Sequence, residues 1–263
     1  MSHPTDPGNA STPSPADSAG QPWAGRSFDS NAHVSDDGAA PERLVEALRR
    51  FRVHELGQAD VVDALRVSRL LIPLVAHLGE AGQNEHGHTI DKSQELSIVT
   101  VAGPDGRNVL PVFSSVAAMT AWNETARPVP ADGVRVALAA ASEQTDLVVL
   151  DPTSPTEFSV RRPALWAIAQ ERSWRPSFED PEVGEAFEVS IRSELSVLSV
   201  EVTAGDPGAR LIGPELIVHI ELVDGLTRTE LDTVLARLAQ RWAANEIIAT
   251  RVDSLTVRLT ASA

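Results

Sequence analysis

Four cations could together do chemistry in this acidic chain: Lys92, Arg127, Arg161 and Arg162. The 263 residues carry 22 Lys and Arg against 37 Asp and Glu, a formal net charge of -15, and Lys92 is the only lysine. Brought together, one ammonium and three guanidinium groups would hold a carboxylate or phosphate, with Arg supplying planar two-point contacts. Arg162 also precedes Pro163, which suits the first turn of a helix, where free N–H groups favour an anion. The competing expectation is that these cations pair with Asp91, Asp151 and Glu157 at the surface, where such pairs are weak. Asp151-Pro152 follows a short apolar strand, the position at which open α/β sheets often place a catalytic acid or base. The same carboxylate serves equally as a strand terminator that satisfies nearby backbone N–H groups. His86 and His88 stand two apart beside Glu85 and Asp91, but no third ligand follows at a metal-site spacing.

Composition removes several function classes. With no cysteine, there is no disulfide, no thiolate nucleophile and no thiolate metal site. Persulfide-based sulfur transfer is excluded with them. A net charge of -15 repels phosphate backbones and anionic lipid surfaces, so neither nucleic acid nor membrane is an expected partner. The first residues lack the basic start and apolar run of a secretory signal, and no run reaches the ~18 apolar residues that span a bilayer. A cytoplasmic location is expected. No glycine pattern of a dinucleotide, Walker or nucleophile-elbow type occurs, and no cofactor is expected.

The elements that must position these residues form an α+β pattern in two small domains after a tail. Residues 1–40 are rich in Pro and Ser and poor in large apolar side chains, as in a disordered segment. Residues 41–172 form the first expected domain. Leu44, Leu48 and Phe51 mark one helix and Val62 and Leu65 a second. Arg69 to Ala76 is expected to be an edge or bulged strand because of Pro73, and residues 79–93 read as a loop. Leu96 to Val101 and Val109 to Phe113 read as a hairpin about Gly103-Pro104-Asp105-Gly106. A capped helix after Ser115, a stiff connection over Ala126 to Pro130, a helix with Val134, Ala137 and Ala141, and paired strands at 147–150 and 158–160 complete it. Residues 173–180, rich in Trp, Pro and acid, read as a linker. Residues 181–263 form a smaller domain of order α-β-β-α-β, whose clearest helix opens with the capping box Thr227/Glu230. That second domain holds -8 of the net charge, from fifteen acidic and seven basic residues between 176 and 263.

Five short signatures follow one another: Asp91-Lys92-Ser93, Leu110-Pro111-Val112-Phe113, Ala126-Arg127-Pro128-Val129-Pro130, Val149-Leu150-Asp151-Pro152 and Arg161-Arg162-Pro163-Ala164-Leu165-Trp166. Their order and spacing resemble the N-terminal domain of the SseB family in its actinobacterial form, over residues 43 to 170, with weaker similarity beyond 180. One departure is Leu96, where relatives carry Met soon after the Asp-Lys-Ser signature. The resemblance implies a link to serine sensitivity and a family without an agreed reaction. The leading expectation is a non-catalytic interaction or regulatory protein with an unidentified protein partner. The alternatives are a sensor of a small anion or amino-acid metabolite using Lys92, Arg127, Arg161 and Arg162, and an enzyme using Asp151.

Overall fold

The computed structural model describes residues 36–78 and 94–261. The tail expected at 1–40 falls almost wholly outside the described residues, as do Lys92, His86 and His88. Helical spacing of apolar side chains builds α1 (Glu42–Arg52) and α2 (Gln58–Arg66), which bury Leu44, Leu48, Phe51, Val61, Val62 and Leu65. The chain continues through β1 (Arg69–Leu78), β2 (Gln94–Ile98), β3 (Val101–Ala102), β4 (Asn108–Val112) and α3 (Val116–Trp122). Then come β5 (Arg127–Asp132), α4 (Gly133–Ser142), β6 (Leu147–Leu150), β7 (Phe158–Arg161) and α5 (Arg162–Ala169). Ser115 caps α3 by accepting from the Ala118 N–H, and Asp132 caps α4 by accepting from the Arg135 N–H.

Two sheets share this part of the chain, in the orders β2-β1-β5 and β3-β4-β6-β7. The expected strand from Leu96 to Val101 is therefore divided: β2 pairs with β1, whereas only the short β3 closes the hairpin with β4. The connection at 126–130 is itself a strand, β5. Pro128 and Pro130 stand two apart on this edge strand, so their missing N–H groups share one side. Pro73 lies in the central strand and not at an edge. It sits opposite Pro128, where neither residue offers a donor, and its carbonyl turns the other way to accept from Val99 at 3.5 Å.

The remainder comprises α6 (Pro181–Ile191), β8 (Val197–Ala204), β9 (Leu216–Leu222), α7 (Arg228–Ala244), α8 (Glu246–Arg251) and β10 (Leu255–Ala261). The sheet order is β10-β9-β8, with β10 parallel and β8 antiparallel to β9. Alternation along β9 buries Leu216, Val218, Ile220 and Leu222 against the helices. Phe187 of α6 meets Trp242 of α7 edge to face at 5.2 Å. The sequence reading missed α8, a single turn and a half that Asn245 caps through the Ile248 N–H. The class is α+β: mixed sheets with helices laid against them.

Gly38–Ala263 forms one compact unit. The connection from β8 to β9 explains why. Its Ala209 is buried in the core built by α1, α2 and α5, and Leu211 joins Val109, Leu147 and Val149. The Ala209 carbonyl accepts from the Ser159 N–H at 2.7 Å, so this loop covers the outer edge of β7.

Close backbone approach makes Gly133 a sensitive position. A Cβ there would lie 2.6 Å from the Leu65 carbonyl and 2.7 Å from the Arg66 Cα, neither of which can move without shifting α2. Gly133→Ala should therefore lower stability by about 1–3 kcal/mol despite the gain in helix propensity. Urea unfolding checks this: the midpoint should fall with an unchanged slope.

Candidate functional site

Arg161, the last residue of β7 and the N-cap of α5, turns inward and is 7% exposed. Its Nη2 donates to Asp206 Oδ2 at 2.8 Å and to the Gly213 carbonyl at 2.9 Å. Nη1 donates to Asp253 Oδ2 at 3.1 Å and to Ser254 Oγ at 3.2 Å. Arg107, just after the β3–β4 turn, approaches Asp253 from the other side with a two-point contact at 2.9 and 3.0 Å, and also holds Asp105 at 2.8 Å. Asp206 accepts in addition from the N–H groups of Arg210 and Leu211. Two arginines from residues 42–175 are thus clamped to two carboxylates from residues 176–263.

Glu215 lies beside this cluster, 4% exposed and without a cation of its own. It accepts from the N–H of Asp253 at 2.6 Å and of Ser177 at 3.4 Å. Burial pushes the Glu215 carboxyl above the ordinary carboxylate range, and the Asp253 charge adds to the effect. Burial works against the charge of Asp253 as well, but the hydrogen bonds and attraction of Arg107 and Arg161 outweigh it and hold that carboxyl below its usual value.

The four expected cations do not form one cluster among the described residues. Lys92 lies outside them. Arg127 is exposed at the start of β5, in a different sheet from β7. Arg161 is occupied by protein carboxylates. Arg162 diverges from it: its guanidinium lies 5.3 Å over the Trp166 ring, reaches the Val252 carbonyl at 3.4 Å, and leaves Nε buried without a partner. Arg161 does pair with acids, but not with the expected Asp91, Asp151 or Glu157, because its side chain crosses to the C-terminal residues. Asp151 is 1% exposed, with a left-handed φ of 45°. Its carboxylate accepts from the Ser114 N–H at 2.8 Å, Ser114 Oγ at 2.7 Å and Thr156 Oγ1 at 3.0 Å. This geometry matches the terminator role: Asp151 ties the end of β6 to the end of β4.

One open cleft of about 730 Å³ borders the cluster itself, lined by Asp105, Arg107, Ile212 and Asp253, whose charges are already paired with one another. A second cleft, of about 590 Å³, runs between α5, the stretch 172–175, and α8 with the start of α6. Trp166 forms part of its wall and is 46% exposed. Arg251 lines it but is neutralised by Asp180 at 2.9 Å and Glu182 at 2.8 Å. Arg172 and Arg175 line it with no carboxylate partner among the described residues. Sequence reasoning passed over both arrangements. Asp206 lies in the Gly205-Asp206-Pro207-Gly208 stretch, which reads as a turn, Asp253 carries no local signal, and Trp174 falls in the stretch read as a linker.

The first fold segment and the cations it carries coincide with a known family: residues 44–167 match the SseB protein N-terminal domain. The chain carries the N-terminal domain of the SseB family. No curated protein and no solved structure matches the chain. The SseB match contains Arg107 and Arg161 and ends before Asp206, Glu215 and Asp253, so the buried cluster spans the boundary of the family domain. Among the described residues no group of His, Asp and Glu is arranged to hold a metal, and no helix is long and apolar enough to cross a membrane.

Removing Arg161 leaves Asp206 without a charged partner and Asp253 with only one. Arg161→Ala should therefore lower stability by about 3–5 kcal/mol, as expected for breaking a buried pair from one side. Chemical denaturation tests this, and a loss below about 1 kcal/mol would contradict the assignment. Glu215 gives the opposite pH signature from a paired acid. Its raised folded pKa favours the folded state when the carboxyl is protonated, and this contribution is lost as pH rises through that value. Wild-type stability relative to Glu215→Gln should fall as pH rises above the ordinary glutamate range, as measured by urea midpoints across a pH series.

Proposed function

We propose that this SseB-family chain is a non-catalytic, cytoplasmic interaction module that presents the α5–α8 cleft to a protein partner. The observation that carries the reading is the half-exposed Trp166 beside two arginines without internal counter-ions. Aromatic and Arg side chains of this kind are enriched where proteins bind one another. In a chain of net charge -15, two arginines without a carboxylate partner among the described residues are a local exception that a partner of opposite charge would recognise. The saturated carboxylate of Asp151 and the internal pairing of Arg161 support the same reading, since both groups have structural work to do.

A photo-crosslinking residue placed at Gln170, which lines the cleft and is exposed, tests the reading in the native host. A discrete adduct that disappears when Trp166→Ala is added is expected. Equal labelling from Glu201, on the open face of the β10-β9-β8 sheet, would refute it.

A further inference from the structure

Along one wall of the cleft, Ser173, Trp174 and Arg175 belong to no helix or strand. Among the described residues, neither their main-chain nor their side-chain groups make a hydrogen bond. The Trp174 indole N–H is buried and has no acceptor. That N–H is closed to solvent on the core side, so what the wall offers the cleft is its main chain and not this indole. Arg175 precedes Pro176, a neighbour that disfavours the helical region and favours extended main chain. The flanking cations, Arg172 and Arg175, are exposed on the same wall.

We infer that the cleft receives an extended, acidic peptide segment of a protein partner, laid along Ser173–Arg175. This inference rests on the interaction reading and names its ligand. The segment's main-chain N–H and C=O groups pair with the open C=O and N–H groups of the wall. Its acidic side chains pair with Arg172 and Arg175, and an apolar side chain between them packs on the exposed face of Trp166. Main-chain pairing gives affinity and the two arginines give selectivity, the usual division of labour in strand-type peptide recognition. A small anion would satisfy the arginines but would leave most of the open main chain unpaired.

Titrating the full chain with acetyl-(Glu-Val)3-amide, read by tryptophan fluorescence and calorimetry, tests the inference. Saturable binding is expected, weakened at least tenfold by Arg172→Glu with Arg175→Glu, and weakened similarly by N-methylation of the peptide backbone. Both arginines are exposed, so the charge reversals should leave the circular dichroism spectrum and thermal midpoint unchanged. The matching (Lys-Val)3 peptide should not bind. Equal binding of the two peptides, or indifference to the charge reversal, would overturn the inference. So would binding of free glutamate or inorganic phosphate as tight as that of the peptide, which would make the cleft a small-anion site. If no peptide binds while the Gln170 crosslink still captures a partner, the acidic strand is wrong and the interaction reading stands. Loss of both results removes both.

Discussion

The charge on Arg161 constrains the rest of the structure. A guanidinium buried to 7% exposure must be balanced where it lies, and the balancing carboxylates, Asp206 and Asp253, come from the other end of the chain. Arg107 completes the balance by sharing Asp253. Burial of charge adds little net stability but strongly penalises every arrangement in which the pair is broken. The network therefore acts as a specificity device. It fixes how residues 42–175 meet residues 176–263 and brings the Ala209 loop onto the edge of β7.

The cleft depends on that lock. One wall comes from α5, which begins at the residue after Arg161, and the facing wall comes from α8, which ends two residues before Asp253. Arg162 and Val252, the immediate neighbours of the ion pair, make their own contact across the junction. A recognition surface divided between two chain segments needs a rigid hinge point between them, and the buried arginine supplies it. Arg161, which looked like a ligand-binding group, thus places other groups that face solvent.

Local structure was legible in the sequence where a periodic pattern or a cap specified it. The Thr227/Glu230 box and the Ser115 cap both appear as expected, because each joins residues no more than four apart. The five signatures were enough to recognise the SseB domain. What failed was pairing. Nothing local distinguishes a stiff Pro-containing connection from β5, whose strand character comes from β1 more than fifty residues earlier. Nor does the sequence show that Leu96–Val101 divides between two sheets. The site was least legible because its members are far apart. Arg161 and Asp253 are 92 residues apart, and the cluster includes residues that also make ordinary turns. Trp174 was visible as an aromatic in a linker-like stretch, but its unpaired indole is a property of the fold alone.

The claim that the Arg161 lock holds the two walls of the cleft can be measured directly, because the chain has no cysteine to interfere with labelling. Spin labels on cysteines introduced at Gln170 and Thr250, both exposed and on opposite walls, would report the distance across the cleft by electron spin resonance. A single narrow distance distribution is expected with Arg161 in place, and a broadened one in the Arg161→Met background at a temperature where that variant remains folded. A broad distribution with Arg161 present, or an identical narrow one without it, would contradict the account.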